Sequence, residues 1–219
     1  MLNLSHAEEN YIKNIYHLQE EGGDVSSSSL CASMQTKAAS ITEMLKKLHG
    51  KKIINYKPYK KFTLTDYGIK EALEVIRKHR LWEFFLVNKL GFNWDEVHEV
   101  AEQLEHVSSA KLISRLDVYL ENPLFDPHGD PIPDSKGKIK QVKQWVLATL
   151  PLKTLAKVSS IKDQSASMLQ MLKHYNIGIG SVVKINRHFD FDGSIEIKIE
   201  KQPLAIISEQ LAKNIYCIV

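Results

Sequence analysis

The chain has two cysteines in 219 residues, Cys31 and Cys217, far apart and outside any CxxC spacing. That excludes a zinc–thiolate framework and offers no persuasive disulfide, as expected in a reducing compartment. No apolar run approaches about 18 residues, and Met1-Leu-Asn-Leu-Ser5 has no signal-peptide pattern. A cytoplasmic protein with no membrane association is therefore expected. Glycine-rich phosphate loops and activated-nucleophile motifs are missing, which argues against nucleotide hydrolysis and covalent catalysis. Internal repeats and low-complexity tracts are also lacking. The most telling absence is local: from Leu90 to Ala110 there is no Lys or Arg, against five acidic residues.

That acidic stretch carries two imidazoles. At 100° per residue, His98, Glu102, Glu105 and His106 fall within about a 100° arc of one helix. Upstream, His79 and Glu83 stand at i and i+4 and share a helical face. Imidazole with carboxylate and no thiolate suits Mn²⁺, Fe²⁺ or Zn²⁺ better than a soft metal. The competing reading is a solvated amphipathic helix whose Glu residues are ordinary helix formers.

Net charge is only +3, but its distribution is uneven. Between Gln35 and Lys61 eight lysines (Lys37, Lys46, Lys47, Lys51, Lys52, Lys57, Lys60, Lys61) face one acid, Glu43. One chain thus holds a polyanion-seeking segment and a cation-seeking segment.

The elements follow from caps and periodicity. Ser5 and Glu8 form a capping box for a first helix that Gly22-Gly23 ends. Ser26 to Ser29 cap a short second helix, and Gln35-Thr36-Lys37 is a tight turn. Ile41, Met44, Leu45 and Leu48 give a third helix over about Ala38 to His49. Ile53 to Tyr56 and Lys61 to Thr65 read as strands around Lys57-Pro58-Tyr59-Lys60. Together these make a winged helix-turn-helix. Long helices are expected over Gly68 to Leu90, Asp95 to Val107, and from Ser108 or Ser109 to about Glu121, a dimerisation unit unable to close a core alone. Asn122 to Pro133 holds four prolines and reads as a rigid linker reaching about Lys140. Beyond Thr149, strands at Leu152 to Ile161, Val182 to Asn186 and Ile195 to Ile199, with a helix at Ser165 to Tyr175, fit a small SH3-like barrel. Asp192-Gly193 is its hairpin turn. Met34, Met44, Met168, Met171 and Cys217 are read as packing residues.

In a helix-turn-helix the third helix presents its N-terminal residues to the major groove. Here those are Thr36, Lys37, Ala38, Ala39, Ser40, Thr42 and Glu43. Lys46, Lys47 and the wing residues Lys57, Lys60 and Lys61 are placed to neutralise phosphates. With no Arg to grip guanine, specificity leans on shape and a few bonds. A lysine-rich solvated surface is the competing reading.

In both its basic and its acidic halves, the chain resembles the metal-dependent repressors of the diphtheria toxin repressor and manganese transport regulator family. The resemblance covers essentially the whole chain. It rests on Glu9-Asn-Tyr-Ile-Lys-Asn-Ile-Tyr16, Arg77-Lys-His-Arg-Leu81, the segments Val97-His98 and Glu105-His106-Val107, and Pro127-His-Gly-Asp-Pro-Ile-Pro133. It implies a primary metal site of Asn10, Glu102, Glu105 and His106, with Asn10 standing where relatives have Asp or Met. Glu102, in place of the Cys of iron-type members, implies Mn²⁺. Lys13 stands where binuclear members have a carboxylate, which speaks against that arrangement here. A second site is implied for His79, Glu83 and His98. Asp126-Pro-His128 would assist it in place of the family's Cys-Pro-His, with Asp163 as a candidate from the C-terminal domain. His6, His17, His49, His174 and His188 receive no ligand role.

The expected fold is mainly α with a small β domain. It comprises a winged helix-turn-helix (1–65), a helical dimerisation and metal-binding domain (66–122), a Pro-rich linker (123–143) and an SH3-like, FeoA-like domain (144–219). The expected function is a homodimeric repressor of metal-homeostasis genes on a palindromic DNA operator, with Mn²⁺ or Fe²⁺ as corepressor and no organic cofactor. Two rivals stand beside it. One is a winged-helix regulator with vestigial metal sites, which Asn10 and Lys13 would suit. The other is a di-metal helical enzyme, which lacks the paired Glu-x-x-His motifs of that class.

Overall fold

The computed structural model describes residues 4–22, 25–57, 60–107, 109–200 and 202–219. They divide into two compact units. One comprises Met1–His79, Gln103–Ser114 and Pro133–Lys138; the other comprises Arg80–Glu102, Arg115–Ile132 and Ile139–Val219.

The first unit opens with α1 (His6–Gly22), α2 (Ser27–Met34) and α3 (Ala38–Gly50), then β1 (Ile54–Asn55) paired antiparallel to β2 (Thr63–Leu64). Both forecast caps form. Ser5 N donates to Glu8 Oε2 at 2.7 Å while Glu8 N donates to Ser5 Oγ. Ser26 and Ser29 form the same reciprocal box on α2. Gln35, at φ +49°, turns the chain between α2 and α3. The strands are shorter than the expected runs, but a bridge between Val25 and Phe62 extends the wing's base. Pro58 and Tyr59, at the tip of the expected hairpin, lie outside the described residues, as do Gly23 and Ser108. Ile12, Ile15, Leu30, Ile41, Leu45, Leu48 and Phe62 are almost fully buried in one core. Each such side chain contributes about 1.5–3 kcal/mol by leaving water.

Helix α4 (Asp66–Leu90) starts two residues before the expected Gly68. Gly68 is required there, since a Cβ would meet the Ile53 carbonyl oxygen at 2.2 Å. Helix α5 (Val97–Val107) starts two residues later than expected. The intervening turn is closed by Glu96 Oε1, which accepts from Asn93 N at 2.9 Å. Helix α6 (Ala110–Tyr119) is capped by Ser109 and ends at left-handed Glu121 and Asn122.

In the second unit, β3 (Trp145–Val146), β4 (Leu155–Ile161), β5 (Val182–His188), β6 (Ile195–Ile199), β7 (Leu204–Ile207) and β8 (Ile215–Ile218) form one antiparallel sheet. Its order is β3-β8-β4-β5-β6-β7. Helices α7 (Ala166–His174) and α8 (Glu209–Lys213) complete it. Register shifts at Val158/Ser160 and Ile185/Arg187 mark bulges, which bend and twist a sheet. β4 begins three residues later than expected because Lys153 is left-handed. The alternation of Ile195, Ile197 and Ile199 places all three in the core. Met168 is buried as read, whereas Met171 is exposed. No helix among the described residues is long and apolar enough to cross a membrane.

Candidate metal centres and nucleic-acid interface

In the first unit, one face of α1 meets the last turn of α5 and the end of this unit's share of α4. Glu105 is fully buried. Its Oε1 accepts from Lys13 Nζ at 2.6 Å, and its Oε2 lies 2.5 Å from His79 Nδ1. Burial alone would raise the Glu105 carboxyl, but His79 and Lys13 outweigh that and hold it below the ordinary value. His106 Nδ1 is 2.6 Å from Glu9 Oε2, and Lys78 Nζ stands 4.0 Å from Glu9. The His106 ring stacks on His6 at 4.8 Å, so His6, given no role from sequence, covers this imidazole. Two buried polar atoms, Asn10 Oδ1 and His106 Nε2, have no hydrogen-bond partner among the described residues. These atoms could serve a metal. The central carboxylate, however, already has an ammonium on one oxygen and an imidazole on the other. With Lys13 in place, this group does not fit a divalent ion.

The second unit gathers a different group. Glu83, Asp126 and His128 are all buried, and they offer ligand atoms within 4.8 Å of one another. A tight turn builds half of it. Asp126 Oδ1 accepts from His128 N at 2.8 Å and from Asp130 N at 3.0 Å. Gly129 sits at φ +87°, where a Cβ would meet the Ser159 carbonyl oxygen at 1.9 Å. His128 Nε2 is 2.9 Å from the Trp94 carbonyl, and its ring stacks on the Trp94 indole. A carbonyl only accepts, so Nε2 carries the proton and the neutral ring's lone pair is on Nδ1. Nδ1 is buried without a hydrogen bond, 3.6 Å from Glu83 Oε2.

The charges here are poorly balanced. Burial, then Asp130 and Glu83, push the Asp126 carboxyl up to about 7, against the pull of Arg80 and His128. Burial lowers His128, but Glu83 and Asp126 outweigh it and raise the imidazole to about 9. At neutral pH His128 therefore keeps its second proton, and Asp126 is partly protonated. Hard donors, an inward-facing imidazole nitrogen that gives up its proton on metal binding, and buried carboxylates fit a divalent cation of the Mn²⁺ or Fe²⁺ kind.

Two further expected ligands, His98 and Glu102, lie on α5 within the second unit. His98 Nδ1 lies 3.3 Å from Glu83 Oε1, though its side chain is 58% exposed. Glu102 is partly exposed and reaches His98 at 4.0 Å. Asp163 joins neither group: its carboxylate accepts from Ser165 N at the start of α7. Its neighbour Gln164 makes the contact instead, donating to Asp130 Oδ2 at 2.8 Å. Sequence reasoning missed Glu9, Lys78 and the Trp94 carbonyl. For Glu9 a signal existed, since Glu9, Asn10 and Lys13 recur at helical spacing.

On α3, Lys37, Ala38, Ala39, Ser40, Glu43, Lys46 and Lys47 are exposed, as are Lys57, Lys60 and Lys61. Thr36 and Thr42 are half-buried and donate to the Met34 and Ala38 carbonyls. A concavity of about 670 Å³ is lined by Ser26, Ser27, Ser28, Thr42, Lys46, Tyr56, Lys60 and Lys61. The three serines, read only as caps, add hydroxyls and the N-terminus of α2 to the lysines, a surface suited to a phosphate strand.

A winged helix with an exposed basic reading helix, joined to buried imidazole–carboxylate groups, defines a DNA-binding regulator of the metal-sensing class. The comparisons with known proteins agree. Residues 3–62 match the model of the iron dependent repressor N-terminal DNA binding domain, 65–134 its metal binding and dimerisation domain, and 146–219 the FeoA domain. An uncharacterized HTH-type transcriptional regulator of Methanocaldococcus jannaschii is 34% identical over 119 residues, 54% of this chain and 95% of that protein. The iron-dependent repressor IdeR of Mycobacterium leprae is 32% identical over 133 residues, 61% of this chain and 58% of that protein. The structure of a manganese-dependent transcriptional repressor in complex with manganese superposes with a TM-score of 0.87. It is 32% identical and covers 96% of this chain and 99% of its own. The chain belongs to the diphtheria toxin repressor and manganese transport regulator family of metal-dependent transcriptional repressors.

Proposed function

We propose that this protein is a cytoplasmic, homodimeric repressor, not an enzyme, that binds a palindromic operator when a divalent cation, Mn²⁺ foremost, occupies Glu83, Asp126 and His128 with His98 beside them. The observation that carries this reading is the buried Glu83–Asp126–His128 group, with His128 Nδ1 unbonded, in a chain whose first unit is a winged helix. A bound divalent cation would supply positive charge beside the two buried carboxyls of Glu83 and Asp126.

The chain's own residues do the positioning. Trp94 fixes the His128 tautomer through its carbonyl. The turn at Asp126–Asp130 holds one carboxylate oxygen, and Arg80, 2.6 Å from the Pro131 carbonyl, pins the segment beyond it. In the first unit, buried Glu8 ties α1 to the end of α3 through Lys51 at 2.6 Å and Lys47 at 3.5 Å. These contacts hold α1 and the end of α3 together. On DNA, Lys37, Ala38, Ala39, Ser40 and Glu43 would face base edges. Lys46, Lys60 and Lys61 would face phosphates. Exposed apolar residues of the dimerisation segment, Val107 and Leu112 in the first unit and Val118 and Tyr119 in the second, are suited to contact a second copy.

The test is retention of genomic DNA fragments by the purified protein with and without Mn²⁺, followed by sequencing. Metal-dependent enrichment of palindromic sites beside metal-uptake genes is expected. Equal enrichment in both conditions would remove the corepressor from the mechanism.

A further inference from the structure

The two buried groups differ in one respect that bears on what each does. In the second unit, His128 Nδ1 is buried without a hydrogen bond 3.6 Å from Glu83 Oε2, and Arg80 stands 3.5 Å from Asp126. In the first unit a lysine ammonium sits directly on the central carboxylate. Lys13 is 8% exposed, and its ammonium contacts a carboxylate that is fully buried. Both Glu105 oxygens are engaged, one by Lys13 and one by His79. An incoming divalent ion would have to displace a buried ammonium from the carboxylate.

We infer that Lys13 is a tethered cation that takes the place of a metal in the α1–α5 group. On this inference the first unit is held together without metal, and the metal response belongs to the Glu83–Asp126–His128 group alone. It rests on the metal-responsive reading above and deepens it. Its consequence is a division of labour. The Lys13–Glu105 pair keeps α1, and through Glu8 the end of α3, in place at all metal concentrations. Only the second unit then reports the ion. Breaking a buried pair leaves an uncompensated charge, whereas exchanging both members for apolar groups of similar size does not. That asymmetry supplies a control.

The experiment is equilibrium dialysis of the full-length chain against Mn²⁺, read by elemental analysis and by the electron paramagnetic resonance signal of the bound ion. Wild type is expected to hold about one Mn²⁺ per chain. Glu105→Gln should keep that ion, while Asp126→Asn and His128→Gln should lose it. Lys13→Met should admit a second ion, because Glu105 then faces an empty cation position, and Lys13→Arg should not. If Glu105→Gln fails to fold, the double variant Lys13→Met with Glu105→Leu removes both charges and should still bind the one ion.

Loss of Mn²⁺ on Glu105→Gln or the double variant would overturn the inference. So would retention by His128→Gln, two ions in wild type, or no gain in Lys13→Met. A wild-type chain that holds no Mn²⁺ would instead overturn the metal-responsive reading itself, and this inference with it.

Discussion

Glu8 is buried, with Lys51 at 2.6 Å from its Oε1, and it accepts from the backbone of Ser5. Burial would raise its carboxyl; Lys51 and Ser5 outweigh that and lower it from 4.5 to about 2. The folded value lies below the unfolded one. The stabilisation is therefore fully present above about pH 5 and is lost as pH falls toward 2, a span of ~3 kcal/mol. Chemical denaturation of wild type and Glu8→Gln from pH 6 to pH 2.5 checks this, with a flatter profile expected for the variant. Residues 8 and 51 are 43 positions apart, and Lys13 and Glu105 are separated by 92. Neither pair can be read from sequence, because helix periodicity reports a shared face and not which distant face meets it. His79, Glu83, Glu105 and His106 were legible as ligand types. That a lysine sits on Glu105 while His128 Nδ1 is left without a hydrogen bond appeared only when the helices packed.

At the scale of elements, caps and turns were the most readable features, because each is settled within four residues. Ser5, Ser26 and Ser165 cap helices, and Gly193 at φ +70° makes the hairpin after Asp192. β3, β7, β8 and α8 were not forecast. β3 has only two residues, and β7 lacks a clean alternation. Ile215 to Val219 read as packing because an apolar run does not declare its strand partners. Two predictions belong here. Gly129→Ala would drive a methyl group into the Ser159 carbonyl and displace the turn that carries Asp126 and His128. Mn²⁺ affinity, followed by calorimetry, should fall roughly 10-fold or more, as when a supporting contact of a metal ligand is lost. On the DNA side, Lys61→Ala should weaken binding uniformly across sequences and reduce the slope of log affinity against log salt by about 1. Lys37→Ala, at the start of the reading helix, should weaken DNA binding while leaving Mn²⁺ affinity unchanged.

For the whole molecule, metal and operator are coupled ligands. Whatever factor Mn²⁺ adds to operator affinity, operator DNA must add to Mn²⁺ affinity, since the binding free energies form a closed cycle. Titrating Mn²⁺ into the protein with and without saturating operator, and DNA with and without Mn²⁺, should give equal factors. Unequal factors would mean that a further state, such as a change in oligomer, is being counted. Helices α4 and α5 each contribute residues to both units, so neither unit is a simple stretch of chain.

The sheet order β3-β8-β4 sets an order of events during synthesis. Trp145 pairs with Cys217, and Cys217 also pairs with Val158. The strand made last thus lies between two that left the ribosome some sixty to seventy residues earlier. Through that interval β3 and β4 have no common neighbour, and Leu147, Val158 and Ile161 have only part of their cover. The winged helix needs nothing beyond Thr65 for its own strands and can form while the ribosome is still translating. A nascent chain stalled before residue 215 would thus carry a finished reading head and an unfinished second unit, and would be a target for chaperones at that end alone.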